Sequence, residues 1–253
     1  MDTFAIALSG AAVTLAGGVA GLILQRWLPE DYRSQGDRDA IQSVVGLITL
    51  LLALVLGLLT TSAYGVFTAQ RTAVQTFASQ FRQLDLALGD FGPGAEAARA
   101  RLKAELSPTL KQFWENTDGD FVSRNYNAAV VNLHERKAAF DALQPTTDAQ
   151  KQALSTAREL SASIGQTRLQ AALQLDDAVS FPLMIVVASW AFILFLGYGL
   201  LSRIDALAVA ALAFGAQAVA SAVYLIVDLS SPFSGYFQVS PLPVQRVLQD
   251  LGK

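Results

Sequence analysis

The stretch Ala40–Leu88, AIQSVVGLITLLLALVLGLLTTSAYGVFTAQRTAVQTFASQFRQLDLAL, decides the fold. Its first 31 residues, Ala40–Gln70, carry no charge, and no proline interrupts it anywhere. A bilayer's hydrocarbon core is about 30 Å thick and a helix rises about 1.5 Å per residue, so roughly 20 apolar residues cross it. Helical patterning continues past that length and stops only at Gly89-Asp90-Phe91-Gly92-Pro93-Gly94, a turn signal. The reading is one helix, about 75 Å long, that leaves the membrane near Phe67.

Its seam repeats as a heptad. In the apolar half the seam reads Gly46, Thr49, Ala53, Leu56, Thr60, Ala63, and further on Phe67, Gln70, Val74, Phe77, Phe81, Leu84, Leu88. Small residues suit helix contacts in lipid, where burying apolar surface gains nothing; large apolar residues suit contacts in water, where it does. The change at Phe67 marks the membrane exit.

Three further uncharged runs are long enough to cross: Phe4–Leu24 with 21 residues, Ala178–Ser202 with 25 and Ala206–Val227 with 22. Met1-Asp2-Thr3 places no basic stretch before the first run, so it reads as a retained span rather than a secretory signal. Gly17 and Gly21 form a G-x-x-x-G pair, and Gly10, Thr14 and Gly18 continue small-residue spacing on a neighbouring face. A polar hairpin, Pro29–Asp39, and the short Arg203-Ile204-Asp205 link the spans in pairs. Trp27 and Tyr32 fit interfacial positions.

The fold class read from this is all-α and integral to the membrane. It has four spans and an extramembrane antiparallel four-helix bundle between spans 2 and 3. The divisions are 1–70, 71–177 for the bundle, 178–228, and 229–253 for a Pro/Gly-rich tail ending in a short amphipathic helix. Within 71–177, Ala98, Leu102, Leu106, Leu110 and Phe113 form one stripe, with a break or kink expected near Pro108. After the turn Asn116–Asp120, Val122, Tyr126, Ala129, Leu133, Phe140 and Leu143 form the next. Thr147 with Gln150 has capping-box spacing and opens the last bundle helix, and Phe181-Pro182 resets the chain into span 3.

Composition excludes several classes. The chain of 253 residues is 53% hydrophobic and 15% charged, against about 25% charged in soluble domains. A net charge of −3 argues against a nucleic-acid partner. With no cysteine and one histidine, neither thiolate nor multi-histidine metal sites are available, and no cofactor motif occurs. His134 reads as solvated surface beside Glu135 and Arg136, and no nucleophile–base spacing suggests an enzyme. Basic residues near span ends tie, Arg26, Arg33, Arg38 and Arg203 on the hairpin side against Arg71, Arg82, Arg168 and Arg246 on the other, so charge alone does not orient the chain.

The candidate functional residues follow from placement. Thr49, Thr60, Tyr64 and Phe67 face either a pore, with Tyr64 and Phe67 as a hydrophobic constriction, or a packing partner such as the first span's glycines. Packing is the commoner use of such a seam. Arg71, Asp176, Asp177 and Asp228 come from the ends of three spans and form either a charged ring that selects ions or interfacial ion pairs that set span depth. Gln217, a polar residue near mid-span, reads as a hydrogen-bonding contact between helices.

The tail Asp228-Leu-Ser-Ser-Pro232-Phe233-Ser-Gly235, continuing to Val239-Ser240-Pro241, resembles that of a bestrophin-like family of bacterial membrane proteins. Ser62-Ala63-Tyr64, followed by a helix through Arg71 and Val74, also resembles it, and the span layout matches. True bestrophins are pentameric ion channels whose second span lines the pore and whose termini and helical domain are cytoplasmic. The resemblance therefore implies a homo-oligomer, a pentamer, in a bacterial inner membrane, with lipid and small ions as partners. The chain departs from the family at Ser230, where a second acidic residue is usual, and at Gln75 and Thr76, where an acidic residue is common. The alternative that the residues leave open is a membrane sensor or scaffold whose bundle binds a ligand or partner without conducting.

Overall fold

The computed structural model describes residues 3–27, 35–114, 121–176, 181–202 and 205–252. Eight helices hold nearly all of them, with no strand among the described residues: α1 (Thr3–Trp27), α2 (Gln35–Phe91), α3 (Glu96–Trp114), α4 (Phe121–Asp141), α5 (Asp148–Asp176), α6 (Phe181–Leu201), α7 (Ala206–Leu229) and α8 (Leu242–Asp250). The fold is all-α, as the periodicity requires. α1, α2, α6 and α7 are long and apolar enough to cross a membrane. Most of the first hairpin and all of the Asn116–Asp120 turn lie outside the described residues.

α2 is unbroken for 57 residues, about 85 Å. It ends where the glycines predict: Gly92 takes φ 94, open only to glycine at little cost, and a single 3-10 turn, Pro93–Ala95, leads into α3. α3 carries Pro108 inside it and continues as helix on both sides, so of the break or kink expected there the chain makes no break. At the start of α5 the capping box forms in full. Gln150 N donates to Thr147 Oγ1 at 3.2 Å, and Thr147 N donates to Gln150 Oε1 at 3.3 Å.

The chain separates into two compact units, Met1–Gly65 with Val179–Ser230, and Val66–Ala178 with Ser231–Lys253. The first division falls within two residues of Phe67, where the seam changes from small to large.

In the first unit α1 meets its neighbours through glycine. A Cβ on Gly17 would collide with the Phe192 carbonyl oxygen of α6, and one on Gly21 with that of Leu196. Gly199 of α6 is equally close to the Gly18 carbonyl. On the adjacent face, Gly18 lies against Leu212 and Gly10 against Val223 of α7, while Thr14, 1% exposed, donates to Gly10 O at 2.7 Å. Both small-residue faces of α1 are thus used, but against α6 and α7. Of the two readings left open for α2's seam, pore wall or packing face, the packing one does not find its partner in these glycines, which face α6 and α7. α2 turns Val45, Ile48, Leu52, Val55, Leu56 and Leu59 inward, and the small residue that admits it is Gly197 of α6, where a Cβ would strike Val45.

The second unit has a water-type core. Val74, Phe77, Phe81, Leu84 and Leu88 of the α2 seam are all buried, with Phe81 and Leu84 fully so, against Ala98, Leu102 and Leu106 of α3, Phe140 of α4, and Leu154, Ala157 and Ile164 of α5. Ser231–Lys253, read from sequence as a separate tail, joins this core through Val239, Val244 and Leu251. The reason is its turn chemistry, which folds the Pro/Gly segment back on itself.

The glycine contacts give a direct test. Gly21→Leu is expected to destabilise the detergent-solubilised protein by about 3 kcal/mol or more, because backbone atoms cannot yield to the new side chain. Gly57→Ala, at a position with nothing within 4 Å of a built Cβ, is expected to change stability by less than about 0.5 kcal/mol. Paired thermal melts read both.

Candidate functional site

α2 presents two different exposed faces in the first unit. Leu47, Leu51, Leu54 and Leu58 make one, a plain lipid-type surface. The other, displaced around the helix, runs Ser43, Gly46, Leu50, Ala53, Gly57, Thr61, Tyr64, all exposed and spaced three or four apart. Gly46, Gly57 and Gly65 have nothing within 4 Å of a built Cβ, unlike the packed glycines of α1 and α6. Only 11% of α2's apolar window is buried inside the protein, against 33% for α1 and α6. The helix with the most apolar stretch is therefore the one whose stretch the chain itself covers least.

The sequence-derived pore candidates divide on this surface. Tyr64 lies on the exposed stripe, 58% accessible. Thr49 and Thr60 sit at its edge, half-buried, and their hydroxyls donate back to Val45 O and Leu56 O at 2.8 Å, which satisfies them within their own helix. Thr49 Oγ1 also lies 3.4 Å from the Tyr198 hydroxyl of α6. Phe67 packs against the core of the second unit. Gly57, Leu50 and Thr61 were not singled out from sequence, because a stripe exposed in one chain carries no apolar signature of its own.

The charged candidates differ in burial. Arg71 is exposed on α2. Asp228 is fully buried in the last turn of α7. Asp176 closes α5, and Asp177 lies outside the described residues. Gln217 is exposed, and its Nε2 stands 3.5 Å from Ser221 Oγ one turn on, so the contact it makes lies within α7 and not between helices. It borders a groove of about 440 Å³ with Phe4, Ala7, Leu8 and Ala11 of α1.

Two buried ionic groups in the second unit escaped sequence reading. Asp85, 1% exposed, accepts from Arg99 Nε at 2.7 Å and Nη2 at 3.1 Å, with Arg82 Nη1 at 3.4 Å. The hydrogen bond to Asp85 holds the Arg99 guanidinium above its ordinary range. In the second group, Glu105 of α3 pairs with Arg136 of α4 at 2.5 Å and lies 3.7 Å from Arg168 of α5. Arg136 also donates to Ser161 Oγ at 2.9 Å and stacks over Phe81, as Arg168 does over Phe77. Burial pulls Arg168 down to about 10, with Glu105 raising it and Arg136 lowering it further. The exposed face read at 134–136 thus holds for His134, whose Nδ1 meets its own helix's Val130 O at 2.8 Å, and fails for Arg136. No group of side chains among the described residues suits a metal ion.

The tail motif has a structural purpose at each position. Val239 N donates to Pro232 O at 2.8 Å and closes the loop, and Gly235 takes φ 99. Phe233 meets the Trp114 ring edge-on at 5.5 Å, and Trp114 Nε1 donates to Val239 O at 2.7 Å. Ser240 Oγ accepts from Leu242 N at 3.3 Å, and Pro241 begins α8.

The fold and the tail define an all-helical, membrane-spanning protein. A sequence profile of the bestrophin-like domain matches residues 11–244, and the chain belongs to that family. Two crystal structures of point variants of a bacterial bestrophin homologue from Klebsiella pneumoniae share the fold, with TM-scores of 0.67 and 0.68 at 14% identity. The alignments cover 96% and 97% of this chain and 97% of each of theirs. A crystal structure of a membrane-protein variant matches equally, at TM-score 0.68 and 14% identity over 97% of both chains. No curated protein matches in sequence.

The Glu105 group yields a stability prediction. Glu105→Gln leaves two buried guanidiniums facing each other and is expected to cost about 3–5 kcal/mol. Arg158→Gln, which breaks a half-exposed pair with Asp141, is expected to cost less than about 1 kcal/mol. Denaturant unfolding of the two variants measures the contrast.

Proposed function

We propose that this protein is an oligomeric small-ion channel of the bacterial inner membrane, in which the exposed stripe of α2 from each subunit faces the conducting axis. The observation that carries this reading is the second exposed face of α2, Ser43, Gly46, Leu50, Ala53, Gly57, Thr61 and Tyr64. Lipid is served by the leucine face. Glycines with open space before them, and the Ser43 and Thr61 hydroxyls that donate within α2 itself, suit a wall that water and ions pass. Cyclic repetition about an axis gives each subunit the same contact with the next and closes without an edge. The family's pentameric members make five the expected number, and the same resemblance supports a cytoplasmic helical unit and termini.

Tyr64 is the constriction in this reading, with Thr49 and Thr60 flanking the stripe. Arg71 follows Tyr64 by about two turns of the same helix and is the one charge between Ala40 and Phe81. Repeated around an axis, it attracts anions at the mouth of the path. The test is recording from the purified oligomer in planar bilayers. Anion-favouring current is expected from the native protein, and Arg71→Glu is expected to shift the permeability ratio severalfold toward cations. No current under any gradient or pH would overturn the channel reading.

A further inference from the structure

Pro108 stands inside α3 without ending it, and the channel reading gives it no role. It has no N–H to offer Ala104 O, so that carbonyl lacks its helical bond. Both residues line a pocket of about 270 Å³ between α3 and α4, within the second unit. Along α3 the lining is Arg101, Ala104, Glu105 and Pro108; along α4 it is Asn132, Glu135, Arg136 and Ala139. Each set is spaced i, i+3, i+4, i+7, one face of a helix. Toward the start of α3 and the end of α4 the lining turns apolar, with Ala98, Leu102 and Phe140 joined by Leu88 of α2.

The polar groups here are not consumed by the fold. The Glu105 side chain is only 10% exposed, yet both of its arginine contacts, Arg136 and Arg168, fall on Oε1, and Oε2 has no partner among the described residues. Arg101, Asn132 and Glu135 form no ion pair or side-chain hydrogen bond among the described residues. The other buried carboxylate differs. Asp85 gives Oδ1 to Arg99 Nε, and Oδ2 to Arg99 Nη2, Arg82 Nη1 and, from the tail, Gly252 N at 3.5 Å, which leaves nothing for a ligand.

Open groups of both charge signs therefore meet beside an apolar end. A carboxylate alone would suit Arg101 but face Glu105 and Glu135. An amine alone would suit those carboxylates but face Arg101 and Arg136. A zwitterion satisfies both sets. We propose that this pocket binds a free α-amino acid with an aliphatic side chain. Its carboxylate pairs with the Arg101 guanidinium. Its ammonium has three hydrogens to give, to Glu105 Oε2, to Glu135 and to the Ala104 carbonyl. Its side chain lies toward Leu102 and Phe140. Ligand pockets begin at about 300 Å³, so the volume suits a metabolite of leucine's size. The site does not rest on the channel reading.

The test is isothermal titration calorimetry of the full-length protein in detergent, with L-leucine as the probe. Saturable binding is expected. Isocaproate, which lacks the ammonium, and isoamylamine, which lacks the carboxylate, are each expected to bind at least about tenfold more weakly. Arg101→Gln and Glu135→Gln, whose side chains have no partner to lose, are expected to weaken leucine by a similar factor with the melting temperature unchanged. Arg158→Gln on α5, outside the pocket, is expected to leave binding as it is, and Ala139→Phe to remove it by filling the space. No saturable heat from leucine at millimolar concentration would overturn the proposal. Equal binding of leucine and isocaproate would overturn zwitterion recognition. Leucine binding unchanged in both Arg101→Gln and Glu135→Gln would overturn the assignment to this pocket.

Discussion

The membrane unit depends on backbone-to-backbone approach between α1 and α6. Lipid tails are as apolar as leucine, so burying a leucine between helices gains nothing there, and van der Waals packing must hold the contact. Gly17, Gly21 and Gly199 supply it by removing the side chains that would keep the helices apart. With that contact fixed, α6 has Gly197 free to admit Val45 and Gly215 of α7 accommodates Phe195. α2 is then held by one side only, and the rest of its surface stays uncovered.

The second unit is packed differently. Its core is built from large apolar side chains, the composition that gains from burial away from water, and the α2 seam changes to match. Inside the same core sit Asp85 and Glu105 with their arginines. Such groups add little net stability over an apolar packing of the same shape, but leaving one partner alone is severe. Their effect is to select: Glu105 is satisfied only if α3, α4 and α5 meet in this register, and Asp85 only if the tail returns to α2 and α3. The tail motif, read from sequence as a family signature, is in structural terms a folded clip whose prolines, glycine and serine each close one turn.

Most of the scaffold was legible in the sequence. The four apolar helices, the unbroken α2, the Gly92 stop, the capping box at Thr147 and Gln150, and the buried positions from Val74 to Leu88 all follow from local rules with a fixed period. Two things did not. The partner of α2 in the apolar half stayed open, because small residues mark a close contact without saying which helix makes it, and here the glycine that admits α2 lies on α6. The buried ion groups were missed because an arginine such as Arg136 looks solvated on its own helix. Only the arrival of Glu105 from another helix makes its burial tolerable. The candidate site suffered most, since an exposed glycine and an exposed leucine differ only in what lies opposite them.

The central claim is that the two exposed faces of α2 meet different solvents. A nitroxide scan over positions 43–64, one cysteine at a time in lipid bilayers, measures this by collision with oxygen, which partitions into lipid, and with a water-soluble nickel chelate. The account predicts that Gly46, Leu50, Gly57 and Thr61 favour the nickel reagent while Leu47, Leu51 and Leu58 favour oxygen. A uniform oxygen preference around the whole helix would contradict it.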